Sequence, residues 1–233
     1  MRRALLATIG GLTIAVSSLV ASPVSTAEPI VQVIPGALLS VEHSNGKRSN
    51  CTAGPMVTLP GSGKRYHALL TAGHCGDHGD AVWIKIRGTS HKIGQLTDPV
   101  DTEIDGVHHD FGLLLLPEDV AQPVIAGKYR PTTYLSAREV SPGMILCTYG
   151  ITSGERCGPA VSSDPRTGVI RADFESDGGD SGGPVYVRGR AGQVKHVGIL
   201  RGHKTDGTGD SVIVSIDMPL NYYPGIKVAI PQR

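Results

Sequence analysis

The chain has 233 residues, of which Lys and Arg supply 22 and Asp and Glu 21, for a formal charge of +1. Loss of Arg2 and Arg3 with a leader would take that charge to −1, so no strong imbalance points to nucleic acid or to an anionic membrane. Glycine at 31 and proline at 16 make up a fifth of the chain, which excludes a helical bundle, and 39% hydrophobic residues without low-complexity repeats exclude disorder and fibrous structure.

Arg2 and Arg3 precede an apolar run from Ala4 to Val20, and Ser25-Thr26-Ala27 offers small residues where a signal peptidase cuts. Residues 1–27 are read as a signal peptide and 28–233 as the exported protein, with no later apolar run long enough to span a bilayer. Stable membrane association after cleavage is therefore not expected. Four cysteines remain, and an even number in an exported chain favours two disulfides over metal ligands or thiol catalysis. Counting alone leaves three connectivities open.

Beyond the leader, short β-rich stretches alternate with turn signals. Asn45-Gly46 and Pro60-Gly61 mark the first turns. Ala81 to Arg87 is a predicted strand, and Val82-Trp83-Ile84-Lys85-Ile86-Arg87 has the period of two of a half-exposed one. Leu113 to Leu116 is continuously apolar, as in a strand covered on both faces. Ala121 to Pro131 reads as a connection between two halves, followed by a turn at Pro142-Gly143. Strands are predicted at Val169 to Phe174, Val194 to Leu200 and Ser211 to Ile216, with a turn at Asp206-Gly207. A short helical turn fits Met218 to Tyr223, limited by Pro219 and Pro224. The fold class is all-β.

Three segments carry complementary chemistry: Thr71-Ala72-Gly73-His74-Cys75, His109-Asp110-Phe111-Gly112-Leu113 and Gly179-Asp180-Ser181-Gly182-Gly183-Pro184. A serine hydroxyl is a weak nucleophile at neutral pH and needs an imidazole to take its proton and a carboxylate to orient the imidazole. His74, Asp110 and Ser181 supply these groups. The glycines around Ser181 open backbone angles closed to other residues, so that the N–H groups of Gly179 and Ser181 can converge on a developing oxyanion.

These segments resemble the motifs of the chymotrypsin-like serine peptidases, in the order His, Asp, Ser, and specifically the bacterial branch of α-lytic protease and the streptogrisins. Cys147 to Gly158 resembles a disulfide-closed loop of that branch, and Ile34-Pro35-Gly36 with Cys51 resembles its mature N-terminal strand and first half-cystine. The resemblance implies two Greek-key six-stranded β-barrels, at about 34–120 and 132–233, with the active-site cleft between them. It further implies disulfides Cys51–Cys75 and Cys147–Cys157, and Asp180 as support of the oxyanion loop. A monomeric secreted serine endopeptidase acting on polypeptides, without cofactor or metal, is the implied function. A catalytically impaired secreted binding protein of the same fold is the alternative.

The chain departs from that pattern at several positions. The relatives pair the residue equivalent to Asp180 with an arginine directly after the first loop cysteine, where Thr148 stands here. Arg156, Arg171, Arg201 and a freed N-terminus near Ile34 are the candidate replacements. No cysteine follows Cys157 to brace a specificity pocket, and Arg201 falls where the relatives carry a small serine supporting the aspartate. Glu175, six residues before Ser181, has the spacing of an acid selecting Lys or Arg, although an exposed loop acid is the favoured reading; His203 suggests the opposite selection, for acidic side chains. His108 and His109 beside Asp110 lack the spacing of a metal site. His43, His67, His78, His91 and His196 are expected on the surface or hydrogen-bonded in the core, and Trp83 in the barrel core or at its rim.

Overall fold

The structure, a computed structural model, describes residues 32–61, 65–117, 121–203 and 210–231. The leader read at 1–27 and the turn read at Asp206-Gly207 lie outside the described residues. Seven strands fill the first half: β1 Leu38–Glu42, β2 Arg48–Thr52, β3 Met56–Pro60, β4 Arg65–Thr71, β5 Ala81–Ile86, β6 Thr89–Ile104 and β7 Val107–Leu116. The second half adds β8 Arg130–Tyr134, β9 Ile145–Gly150, β10 Gly154–Asp164, β11 Val169–Ala172, β12 Pro184–Arg188, β13 Gln193–His203 and β14 Ser211–Ser215, then helix α1 Asp217–Tyr222 and β15 Lys227–Val228. Among the described residues no helix is long and apolar enough to cross a membrane.

The strands form two sheets, in the orders β15-β3-β4-β7-β6-β5-β1-β2 and β12-β9-β10-β11-β14-β13-β8. An additional β12–β13 pairing closes six strands of the second sheet into a barrel, with β8 parallel to β13 outside it. The first sheet curls on itself, because Leu39 and Val41 of β1, Met56 of β3, Leu69 of β4, Val82 and Ile84 of β5, Leu96 of β6 and Leu114 of β7 share one core. The architecture is the double β-barrel expected from the resemblance. After Ser215 the chain returns to the first sheet, where Lys227 and Val228 pair with Thr58 and Val57.

Alternation explains which faces are buried. Val82 and Ile84 point inward while Lys85 is exposed, as the period of two predicts. Leu113, Leu114 and Leu116 are buried but Leu115 is 39% exposed, which corrects the reading of this stretch as covered on both faces. The seam between the barrels is apolar: Val57, Leu70, Val100, Phe111 and Leu113 of the first half pack with Ile199, Val214, Ile216 and Met218 of the second. Burial of side chains this size typically contributes ~1.5–3 kcal/mol each. The seam thus fixes β7, which carries Asp110, against β13, which carries Arg201.

His196 lies within β13, fully buried, and neither ring nitrogen has a hydrogen-bond partner among the described residues, so its reading as a surface or hydrogen-bonded residue is corrected. Burial pushes its imidazole down to about 4. The unfolded chain holds this proton below about 6.5 while the folded chain refuses it, so stability is full above that pH and falls as pH drops toward the folded value. Between these limits the loss reaches ~3 kcal/mol. His196→Leu should remove that acid sensitivity, and urea unfolding of both proteins at neutral pH and near pH ~4 checks it.

Candidate active site

His74 sits in a single 3-10 turn, Gly73–Cys75, that follows β4. Gly73 is required there, because a Cβ would lie 2.0 Å from the Val100 carbonyl oxygen. The Cys51–Cys75 disulfide ties the turn to β2. His43 adds a brace that the sequence did not reveal: its Nδ1 lies 2.8 Å from Asp80 Oδ2 and its Nε2 3.0 Å from the Ser49 hydroxyl, which donates to the Cys75 carbonyl at 3.1 Å.

Asp110, on β7, is inaccessible to solvent and spends both carboxylate oxygens on His74. Oδ1 accepts the His74 backbone N–H at 3.0 Å and Oδ2 pairs with Nδ1 at 2.8 Å. Burial pushes the Asp110 carboxyl up, but the hydrogen bond and charge of His74, with a smaller part from Arg201, bring it below its usual value. The Asp110 hydrogen bond raises the His74 imidazole above its ordinary value against the opposing effect of burial. An imidazole held by Nδ1–H keeps Nε2 free to take a proton.

Ser181 lies in the turn between β11 and β12, where Gly179 and Gly182 have φ of +100° and +86°. A Cβ on Gly182 would sit 2.2 Å from Thr71 Oγ1, so this turn is pressed directly against the strand leading to His74. The Ser181 hydroxyl donates to the Arg201 carbonyl at 3.2 Å rather than to His74. Arg201 Nε in turn lies 3.4 Å from Asp110 Oδ2. The three residues singled out from sequence are thereby linked, with Arg201 as the bridge between Ser181 and the Asp110–His74 pair.

The Asp180 carboxylate is buried, and among the described residues it is held by backbone N–H groups rather than by one of the arginines considered. Its Oδ1 accepts the backbone N–H groups of Thr152 at 2.8 Å and Ser153 at 3.0 Å, and Oδ2 accepts that of Asp177 at 2.9 Å. Arg171 pairs with Asp210, Arg201 with Asp110, and Arg156 donates to the Glu155 carbonyl, so none of the candidate arginines serves Asp180. Thr148 instead bonds the Pro184 carbonyl at 3.3 Å. Two of the donors come from the tip of the β9–β10 hairpin, which the Cys147–Cys157 disulfide closes, and the third from the loop before Gly179. Carboxylates stabilised by several backbone N–H groups need no counter-charge.

Thr52, immediately after Cys51, is a second element that residue type alone did not signal. Its N–H donates to the Ser181 carbonyl at 2.8 Å, its hydroxyl donates to the Gly179 carbonyl at 2.8 Å, and that hydroxyl accepts the Ile151 N–H at 3.0 Å. The first barrel therefore holds the loop that carries the candidate oxyanion donors on the second.

The proposed specificity residues are not drawn into this network. Glu175 is exposed, and His203 is exposed at the end of β13. Behind Glu175, buried Ser176 bonds Ser211 at 3.0 Å, and Ser211 donates to the Phe174 carbonyl at 2.7 Å. His108 binds Asp101 at 2.8 Å, and no group of three metal-ligating side chains occurs among the described residues.

No family model matches the chain. Over 134 residues, 56% of this chain, it is 27% and 28% identical to uncharacterised proteins of Mycobacterium tuberculosis strains CDC 1551 and H37Rv. The chain spans 61% of the length of those relatives. Among solved structures, Thermobifida fusca protease A matches with a TM-score of 0.62 and 24% identity, over 86% of this chain and 100% of that one. Cellulomonas bogoriensis chymotrypsin matches with a TM-score of 0.59 and 19% identity, over 86% and 100%. The fold of this chain is that of the bacterial chymotrypsin-like serine proteases.

Proposed function

We propose that the chain is an exported serine endopeptidase that cleaves peptide bonds through an acyl-enzyme. The observation that carries this reading is the doubly hydrogen-bonded Asp110–His74 pair, joined to Ser181 through Arg201. Ser181 Oγ attacks the peptide carbonyl as His74 Nε2 takes its proton, and the N–H groups of Gly179 and Ser181 stabilise the oxyanion. Collapse breaks the C–N bond, and His74 passes the proton to the leaving amine. Water then attacks the ester, giving its proton to His74, and Ser181 recovers a proton as the acid leaves. The resting hydrogen bond from Ser181 to the Arg201 carbonyl is broken by rotation about one side-chain bond, and catalytic contacts commonly tighten only with substrate in place. The solved proteases of the same fold support the reaction class. Two disulfides and the leader-like residues 1–27 support export.

The test is hydrolysis of an unstructured protein and of short peptide and ester substrates by wild type and Ser181→Ala. New product termini with wild type alone are expected. Turnover of esters without peptides would restrict the reaction to ester hydrolysis, and no turnover of either by folded protein would contradict the proposal.

A further inference from the structure

Arg201 occupies a position in β13 that no regular strand residue would have. Leu200 pairs with Ile213 and Gly202 with Val212, so the register skips Arg201, which stands as the extra residue of a β-bulge. Bulges re-aim side chains. Here the bulge sends the guanidinium to Asp110 Oδ2 at 3.4 Å and the carbonyl to the Ser181 hydroxyl at 3.2 Å. The flanking strand is fixed on Ser181's turn, with the Gly182 N–H donating to the Leu200 carbonyl at 2.7 Å and the Leu200 N–H to the Gly183 carbonyl at 2.8 Å.

We propose that Arg201 is a positioning residue that holds Asp110 and Ser181 through its two ends, and that its fixed charge lets the cleft work at more acidic pH than an uncharged residue there would allow. The proposal rests on the serine-peptidase reading of the site. A small neutral hydroxyl could support the aspartate without competing with His74 for its charge; a guanidinium, which never deprotonates, competes at every accessible pH. Its cation disfavours the imidazolium of His74 and so releases the neutral base earlier as pH rises.

Charged groups act on His74 from three strands. Asp110 on β7 favours its protonated form, Asp101 on β6 does so more weakly, and Arg201 on β13 opposes both. Asp101 is itself partnered by His108 at 2.8 Å, and His109 lies edge-on to Phe111 with ring centroids 5.8 Å apart. Arg201 is the second-barrel cation that opposes these carboxylates at His74.

The test compares Arg201→Gln, Arg201→Ser and Arg201→Lys with wild type. The His74 ring is titrated by NMR, and kcat/KM for a peptide or ester substrate is followed against pH. In the Gln and Ser variants the His74 midpoint and the acid limb of kcat/KM should both move upward by ~1 pH unit, the scale of a unit charge screened by partial exposure. The Lys variant should keep its midpoint near that of wild type. Midpoints unmoved in Gln and Ser, or moved as far in Lys, would overturn the proposal. Because the arginine side chain is about a third exposed, its removal leaves no closed cavity, and the two uncharged variants of different size guard against one failing to fold. Absence of turnover in wild type would refute the peptidase reading instead, and the NMR titration still decides the role of Arg201.

Discussion

Asp110→Asn should lower kcat/KM by ~10⁴ in a protein that still folds. The carboxylate offers two acceptor oxygens, and His74 uses both, through its backbone N–H at 3.0 Å and Nδ1 at 2.8 Å. Asparagine has one acceptor and one donor end. If its oxygen keeps the backbone N–H, its amide N–H₂ faces Nδ1 and forces the ring proton to Nε2, where it blocks removal of the Ser181 proton. If its oxygen keeps Nδ1, the amide faces the His74 backbone N–H and the turn must shift. Either way the base is lost or misplaced. With the carboxylate gone, the hydrogen bond that raises the His74 imidazole is gone too, and the His74 midpoint should drop. Steady-state kinetics and an NMR titration of the His74 ring check both parts, with circular dichroism confirming the fold.

The second large effect is expected at Asp180. Asp180→Ala removes the acceptor of three backbone N–H groups, those of Thr152, Ser153 and Asp177. Two of these belong to the β9–β10 hairpin tip and one to the loop that leads into Gly179, so the side chain joins the tip to the oxyanion loop, alongside the Thr152 hydroxyl, which donates to the Gly178 carbonyl at 2.7 Å. Gly150 packs so tightly on this carboxylate that a Cβ there would lie 2.2 Å from Oδ1, and the deletion leaves a gap beside a glycine that cannot fill it. An unsatisfied buried donor costs ~1–3 kcal/mol, and because these three bonds are part-buried and water can enter the gap, a net loss of ~3 kcal/mol in unfolding free energy is expected. Catalytically, loss of ordered oxyanion donors should lower kcat by ~10²–10³ with a smaller change in KM. Asp180→Asn, which retains one acceptor oxygen, should fall between the two. Denaturant melts and kinetics on an ester substrate check the pair of expectations.

The sequence made the site's chemical groups legible because each lies in a short segment where glycine and cysteine leave little freedom. Gly73 beside His74, and Gly179 and Gly182 around Ser181, are positions that a Cβ or an ordinary φ would forbid. The strand at Ala81 to Ile86 was legible for a similar reason, since its alternation leaves one consistent inward face. What escaped the sequence depends on long-range closure. The acceptor role of Asp180 is filled by N–H groups of Thr152 and Ser153, and any residue type there would present the same groups, so composition carries no trace of it. Thr52 is uninformative as a letter, yet it joins Ser181, Gly179 and Ile151 across the two barrels. The resemblance puts Arg201 where relatives carry a small serine that supports the aspartate, but its reach to Asp110 depends on a one-residue bulge that strand periodicity cannot register. His196 escaped the sequence because its burial depends on Leu135, distant in the chain, and on the cross-strand Tyr186, a packing that residue type does not signal.

The most direct measurement is intact-mass analysis after exposure to a fluorophosphonate, with peptide mapping of the adduct. An activated Ser181 should gain one phosphonyl group in wild type, lose that label in Ser181→Ala, and react far more slowly in His74→Ala. Folded wild-type protein that stays unlabelled, or that carries its label on another residue, would contradict the account.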